Sequence, residues 1–243
     1  GSQGRTHALN LRDSGVTDIV VGLKVDSKTR ALAGADGFPV LTAGEAAAQA
    51  EVVAVMVSDE AHRDLWRDEL EPNVRPGAAL VFAHGLSVRF GLVEPRADLD
   101  VILASPKGIG PRIRDLYEAG EGDFCLFGVQ QDATGDAHAL GLSYAAALGC
   151  GRKGILETTM RDECESDLFG EQVVHLAAAA IECGCGRRNA DSGECGGRGP
   201  DGGGEAEAVE PEFTTADAEA LGIVEEVSEF TTYYPHAPYR NTN

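Results

Sequence analysis

Short apolar runs punctuate the first two-thirds of the chain, at residues 18–23, 52–57, 79–83, 101–104 and 125–129. Most are β-branched or aliphatic and bounded by Gly, Asp or Pro, which predicts strands buried on both faces. Between them the pattern lengthens to helical spacing. A helix-like stretch follows Gly4 and runs to Gly15. Thr42 followed by Glu45 forms a capping box that opens an alanine-rich helix. Residues 59–69 are amphipathic, and residues 136–148 read as a helix closed by Gly149. A longer helical pattern starts near Asp162 and continues to Ile181. Alternation of strands and helices at this spacing predicts an α/β fold, a doubly wound parallel sheet with helices on both faces.

The pattern stops after Cys183. Residues 184–204 are mostly Gly, Arg, Asp and Ser. Such a segment buries too little apolar area to offset its ordering entropy, so a loose or disordered stretch is expected there. Residues 205–229 are acidic with a weak helical pattern, and the end of the chain is aromatic and proline-containing.

Charge changes the picture of partners. The formal net charge is −20, which excludes a basic footprint for nucleic acid. The lysines are Lys24, Lys28, Lys107 and Lys153, on a background rich in Asp, Glu, Ala and Gly. That balance resembles proteins of salt-loving organisms, where screening moderates self-repulsion. No apolar run is long enough for a membrane span, and the first residues lack a secretory pattern. A cytoplasmic location is the default expectation. Cys125, Cys150 and Cys164 fall in apolar or helical contexts and are expected to be buried thiols. Cys183, Cys185 and Cys195 match no standard zinc spacing.

Candidate chemistry lies in three places. Gly1-Ser2-Gln3-Gly4 is the back half of a G-x-G-x-x-G loop, whose glycines let backbone approach a pyrophosphate at a helix N-terminus. About twenty residues on, a strand opens into Lys24-Val25-Asp26-Ser27-Lys28-Thr29, and an NAD site would place an acid there. Here Lys24, Ser27 and Thr29 suit a 2′-phosphate instead, while Asp26 opposes it. Third, Asp167 and Glu171 stand four apart, so both project from one helix face, with Glu163 one turn earlier on that stripe. Stacked carboxylates are unfavourable unless solvated or bridged by a cation. Hard oxygen ligands of this kind suit magnesium; the alternative is a solvated acidic face.

Taken together, Gly1-Ser2-Gln3-Gly4 with His7-Ala8-Leu9-Asn10-Leu11-Arg12-Asp13-Ser14-Gly15, then Ala83-His84-Gly85, Pro106-Lys107-Gly108-Ile109-Gly110, Gln131-Asp132-Ala133-Thr134-Gly135 and Asp167-Leu168-Phe169-Gly170-Glu171-Gln172 resemble the motifs of ketol-acid reductoisomerases, in order and in spacing. The likeness covers about residues 1–182. It implies a Rossmann-type NADP-binding domain over residues 1–158, incomplete at its start, and a shortened remnant of a helical knotted domain over residues 159–243.

The resemblance also implies roles. Gly1, Ser2 and Gln3 would line the pyrophosphate, and Lys24, Ser27 and Thr29 the 2′-phosphate of NADPH. Asp59, Glu60 and His62 match a cofactor-edge segment, and Gly110 a cofactor contact. His84 and Lys107 match the active-site histidine and lysine, and Asp167 and Glu171 the magnesium ligands. The substrate implied is a 2-hydroxy-2-acyl acid of acetolactate type, converted to a 2,3-dihydroxy acid in valine and isoleucine synthesis, with a homo-oligomer plausible. After Ile181 no second helical carboxylate pair is found. Two further readings therefore stand beside the enzyme: a non-catalytic remnant that still binds nucleotide, and another dehydrogenase on the same nucleotide fold.

Overall fold

The apolar runs become strands in the computed structural model, which describes residues 1–170. β1 (Val21–Gly22) pairs in parallel with β2 (Val40–Leu41). A separate five-stranded sheet carries β3 (Val52–Val55), β4 (Ala79–Phe82), β5 (Asp100–Pro106), β6 (Phe124–Gln131) and β7 (Gly154–Glu157), side by side in chain order. The helices are α1 (Ser2–Asp13), α2 (Arg30–Ala35), α3 (Ala43–Ala47), α4 (Asp59–Leu65), α5 (Leu86–Arg89), α6 (Gly110–Glu118), α7 (Ala137–Ala147) and α8 (Met160–Phe169). A π-helical turn, Trp66–Leu70, extends α4.

The sheet is parallel from β3 to β5, but β6 runs antiparallel to β5 and β7 follows β6. The α/β architecture with a sheet dominated by parallel pairs is the one expected; the β5–β6 pair is its antiparallel exception. A strand buried on both faces presents the same apolar run in either direction, so its sequence carries no sign of its sense. The strand expected over residues 18–23 forms only a two-residue ladder.

Side chains on successive strand residues point to opposite faces, and this builds two apolar layers. On one face Leu80, Phe82, Val101 and Leu103 pack with Ala47, Trp66, Leu70 and Met160. On the other, Ala79, Val81, Ile102, Ala104, Cys125 and Phe127 pack with Ala137, Tyr144, Ala145 and Leu148 of α7. Helices thus cover both faces. The capping box forms as expected, with Glu45 N–H donating to Thr42 Oγ1 at 3.3 Å and Thr42 N–H to Glu45 Oε2 at 2.9 Å. Gly149 closes α7 in the left-handed region, φ 95°, where a Cβ would be strained. Cys125, Cys150 and Cys164 are buried free thiols. No helix among the described residues is long and apolar enough to cross a membrane. The expectations for residues 171–243, including the loose stretch at 184–204 and the knotted-domain remnant, lie outside the described residues.

α1 is fastened to α7 by polar contacts within the core. His7 Nδ1 and the Tyr144 hydroxyl lie 2.9 Å apart, and Asn10 donates to the Leu148 carbonyl at 3.0 Å. Burial drives His7 down to a pKa of about 4, because a charged imidazole there would be desolvated. Its unfolded counterpart titrates near the ordinary value of 6.5. Above that pH neither state is protonated and the group is silent. Below it the unfolded chain gains a proton that the folded one refuses, so stability falls as pH drops from 6.5 towards 4. The expected loss is roughly 3 kcal/mol. Urea unfolding at pH 7 and pH 4.5 measures it, and His7→Gln should shrink the difference by about that amount.

Candidate functional site

The two-residue alternation that builds the core also delivers polar groups to one end of it. Leu80 and Phe82 share the face with His84, just past the end of β4; Val101 and Leu103 share it with Ser105 on β5 and Lys107 just past its end. The carboxyl ends of parallel strands are where open α/β sheets receive ligands. α8 lies across this end. Thr159 caps it, accepting from Asp162 N–H at 3.0 Å. Its first turn rides against Gly85, where a Cβ would stand 2.3 Å from the Met160 carbonyl oxygen. Only glycine permits that approach.

So placed, α8 lowers Glu163 into the sheet end, 1% exposed. The carboxylate accepts from Ser105 Oγ at 2.9 Å, Lys107 Nζ at 2.7 Å and Gly85 N–H at 2.8 Å, and faces His84 Nδ1 at 3.1 Å. Asp167, one turn on, accepts from Lys107 Nζ at 2.9 Å and lies 3.6 Å from His84 Nδ1. Burial alone would raise the Glu163 pKa; the hydrogen bond from His84 and the charge of Lys107 outweigh it and hold the group down at about 2. Burial likewise opposes charge on His84 and Lys107, and Glu163 and then Asp167 outweigh it, raising both. The result is a largely buried, hydrogen-bonded set of two carboxylates, a lysine and an imidazole.

Glu163 was visible in the sequence as an acid on the Asp167 stripe but was not among the expected site residues. Nothing in a helical period says which acids face inward. Gly85, noted only as part of a motif, and Ser105 were given no role, because their contacts with α8 are long-range.

A second cradle adjoins the first. α1 begins at Ser2 with no acidic residue in its first turn, and α6 begins at Gly110 with Pro111 behind it and none either. The two N-termini meet. A Cβ on Gly110 would stand 2.7 Å from the Ser2 carbonyl carbon and oxygen. Gln3 Nε2 donates to the Gly108 carbonyl at 2.9 Å, and Thr6 Oγ1 to the Gly110 carbonyl at 2.8 Å. Backbone N–H groups and helix dipoles converge there, with no acid in either first turn, which suits a pyrophosphate. The residues present therefore fit a dinucleotide. Residues 107–110 belong to both cradles, since Lys107 enters the ionic cluster while Gly108 and Gly110 meet α1.

The other expected residues are placed as follows. Lys24 and Thr29 are exposed in the turn after β1, and Ser27 Oγ lies 2.7 Å from Thr29 Oγ1. They make no hydrogen bond to the ionic cluster. Asp59 and Glu60 open α4. His62, expected in the cofactor-edge segment, is buried at 4% exposure with both ring nitrogens engaged by protein groups. Glu171 lies outside the described residues.

For a divalent cation, one oxygen or nitrogen each from His84, Glu163 and Asp167 lie within 4.8 Å of one another. Glu163 is saturated by protein donors, so Asp167, the less buried acid, is the group with capacity to spare. An ion held by one or two carboxylates and water suits magnesium.

Comparison with known proteins bears on the fold and on the nucleotide-binding domain. The family model described as acetohydroxy acid isomeroreductase, NADPH-binding domain, matches residues 1–154. An NADH-preferring ketol-acid reductoisomerase from an uncultured archaeon is 33% identical, with a TM-score of 0.70 over 75% of this chain and 57% of its own. A semialdehyde dehydrogenase NAD-binding protein from Cupriavidus necator, 17% identical, gives 0.59 over 99% of this chain and 83% of its own. A 3-hydroxyisobutyrate dehydrogenase from Mycobacterium tuberculosis, 19% identical, gives 0.52 over 98% and 86%. The last two share the fold alone. The chain spans 57% of the length of the reductoisomerase it matches.

Proposed function

The chain belongs to the acetohydroxy acid (ketol-acid) isomeroreductase family, and from that premise we propose that it binds NADPH and magnesium and converts acetolactate-type acids to 2,3-dihydroxy acids. The observation that carries the reading is the shared segment 107–110, which sets the ionic cluster beside the dinucleotide cradle.

In this reading the N-termini of α1 and α6 bind the pyrophosphate, and Lys24, Ser27 and Thr29 hold the 2′-phosphate. Asp167, with Glu171, holds the magnesium. When bound, magnesium supplies Lewis-acid polarisation of the substrate oxygens for alkyl migration, and NADPH supplies the hydride. Lys107 offers fixed positive charge to oxygens that become more negative during migration. His84 has Nδ1 committed to Glu163, which leaves Nε2 to carry a proton to or from the substrate. Glu163 touches no substrate in this scheme; it holds Lys107 and His84 in position and favours their charged forms.

The test is titration with NADPH and NADH, followed by nicotinamide fluorescence, and then magnesium-dependent NADPH oxidation with acetolactate. NADPH should bind more tightly than NADH, and Lys24→Ala should cost NADPH about tenfold while sparing NADH. Binding without turnover would leave nucleotide binding as the function of this chain. No binding by folded protein would overturn the proposal.

A further inference from the structure

His62 sits between two loops that the proposed function uses separately. One is the loop after β3, which leads through Val57 and Ser58 into α4. The other is the turn after β4, which carries His84 and Gly85 into α5. His62 Nε2 lies 3.1 Å from the Val57 carbonyl oxygen, and its Nδ1 lies 2.6 Å from Ser87 Oγ. A carbonyl only accepts, so Nε2 carries the proton and Nδ1 accepts from the Ser87 hydroxyl. Asp59 Oδ1 stands 3.4 Å from both His62 Nδ1 and Ser87 Oγ. The ring packs edge-on against Phe82, with centroids 5.9 Å apart.

Ser87 is 0% exposed, so this serine, histidine and aspartate offer no nucleophile to a substrate. They form a strut. Ser87 lies one helical turn beyond His84, and Gly85 N–H in the same turn donates to Glu163. Moving Ser87 therefore moves both the imidazole and a hydrogen bond of the ionic cluster. Moving the loop after β3 moves Val57, and with it the ring that reaches Ser87.

We infer that His62, acting through Ser87, is a positioning residue that locks the His84 turn to the loop after β3. Nucleotide bound along residues 57–60 and a divalent cation bound at the His84–Asp167 cluster are thereby coupled. The coupling rests on the proposed function; the positioning of His84 does not.

The experiment uses His62→Leu, His62→Gln and Ser87→Ala in the full chain. An amide presents an acceptor and a donor at nearly the spacing of the two ring nitrogens, so glutamine should keep both bonds. In ligand-free protein, imidazole ¹⁵N–¹H spectra should show the His84 signals shifted and broadened in His62→Leu and Ser87→Ala, and close to wild type in His62→Gln. Manganese, titrated by water-proton relaxation, should bind about tenfold more weakly to His62→Leu, with glutamine restoring most of the affinity. Added NADPH should tighten manganese binding to wild type and not to His62→Leu. Unchanged His84 signals in both His62→Leu and Ser87→Ala, or glutamine no better than leucine, would overturn the inference. Should wild type bind neither ligand, the proposed function fails while the ligand-free spectra still decide the positioning role; Ser87→Ala, a small truncation, serves where His62→Leu does not fold.

Discussion

Glu163→Ala should cost 3–5 kcal/mol of stability, on the order found when one member of a buried ion pair is removed. The carboxylate satisfies Ser105 Oγ, Lys107 Nζ and Gly85 N–H at once and faces His84. Its loss leaves a buried hydroxyl and a buried amide unpaired, and leaves Lys107 with Asp167 as its anion. Glu163→Gln keeps the volume and one acceptor, so its cost should be smaller, about 2 kcal/mol. Lys107→Met combined with Glu163→Gln should cost less than the sum of the two single changes, because each removes the other's reason to be charged. Urea unfolding of the four proteins measures this, and simple additivity would refute it. The pH dependence has a definite sign. With its folded pKa held near 2 against an ordinary 4.5, Glu163 contributes fully above 4.5, and the contribution disappears as pH falls towards 2. That window lies below most of the His7 window, so Glu163→Gln and His7→Gln should flatten different parts of the acid curve.

Gly110→Ala should weaken NADPH binding by about a hundredfold, the penalty typical of displacing a binding group by an ångström. The added methyl would meet Ser2 carbonyl atoms at 2.7 Å and Gln3 N at 3.0 Å. Both are backbone, with no flexible side chain to yield. The N-termini of α1 and α6 must separate, and the bonds from Thr6 and Gln3 to the segment 108–110 go with them. Gly34→Ala is the control: nothing lies within 4 Å of a Cβ there, and alanine in α2 should leave binding unchanged and raise stability by up to about 1 kcal/mol. A Gly110→Ala protein that bound NADPH normally would show that the cradle is elsewhere.

How much of this was legible beforehand depends on the physics each feature uses. The strands at 52–55, 79–82 and 124–131 were readable because local apolar runs and breakers specify them. The capping box and the Gly149 stop were readable because caps are local hydrogen-bond chemistry. His84, Lys107 and Asp167 were named through motifs, and the fold brings the three together. The sense of β6 was not readable, since pairing direction is decided by what lies beside a strand. α6 was passed over although Pro111 in its first turn is a start signal. Glu163 was seen but not weighed, because its burial depends on α8 nesting against Gly85, seventy-eight residues away by the Gly85–Glu163 bond. His62 was placed in a cofactor-edge segment; its partners, Val57 and Ser87, come from two different strand ends and cannot be inferred from either.

The reversal of β6 separates the molecule into two poles with different tolerances. The loop after β6 emerges at the pole opposite the ionic cluster, where Asp100, at the start of β5, accepts from Ala133 N–H, Thr134 N–H and Thr134 Oγ1. Residues 132–136 are thus an anchoring knot, insulated from ligand chemistry by the full length of the sheet. In a saturation scan, substitutions there should register as altered abundance with unaltered affinity in the surviving protein. Substitutions at 57–60, 83–87 and 107–110 should alter affinity, and those that break the contacts of Glu163 abundance as well, so the two poles should leave different signatures in the scan.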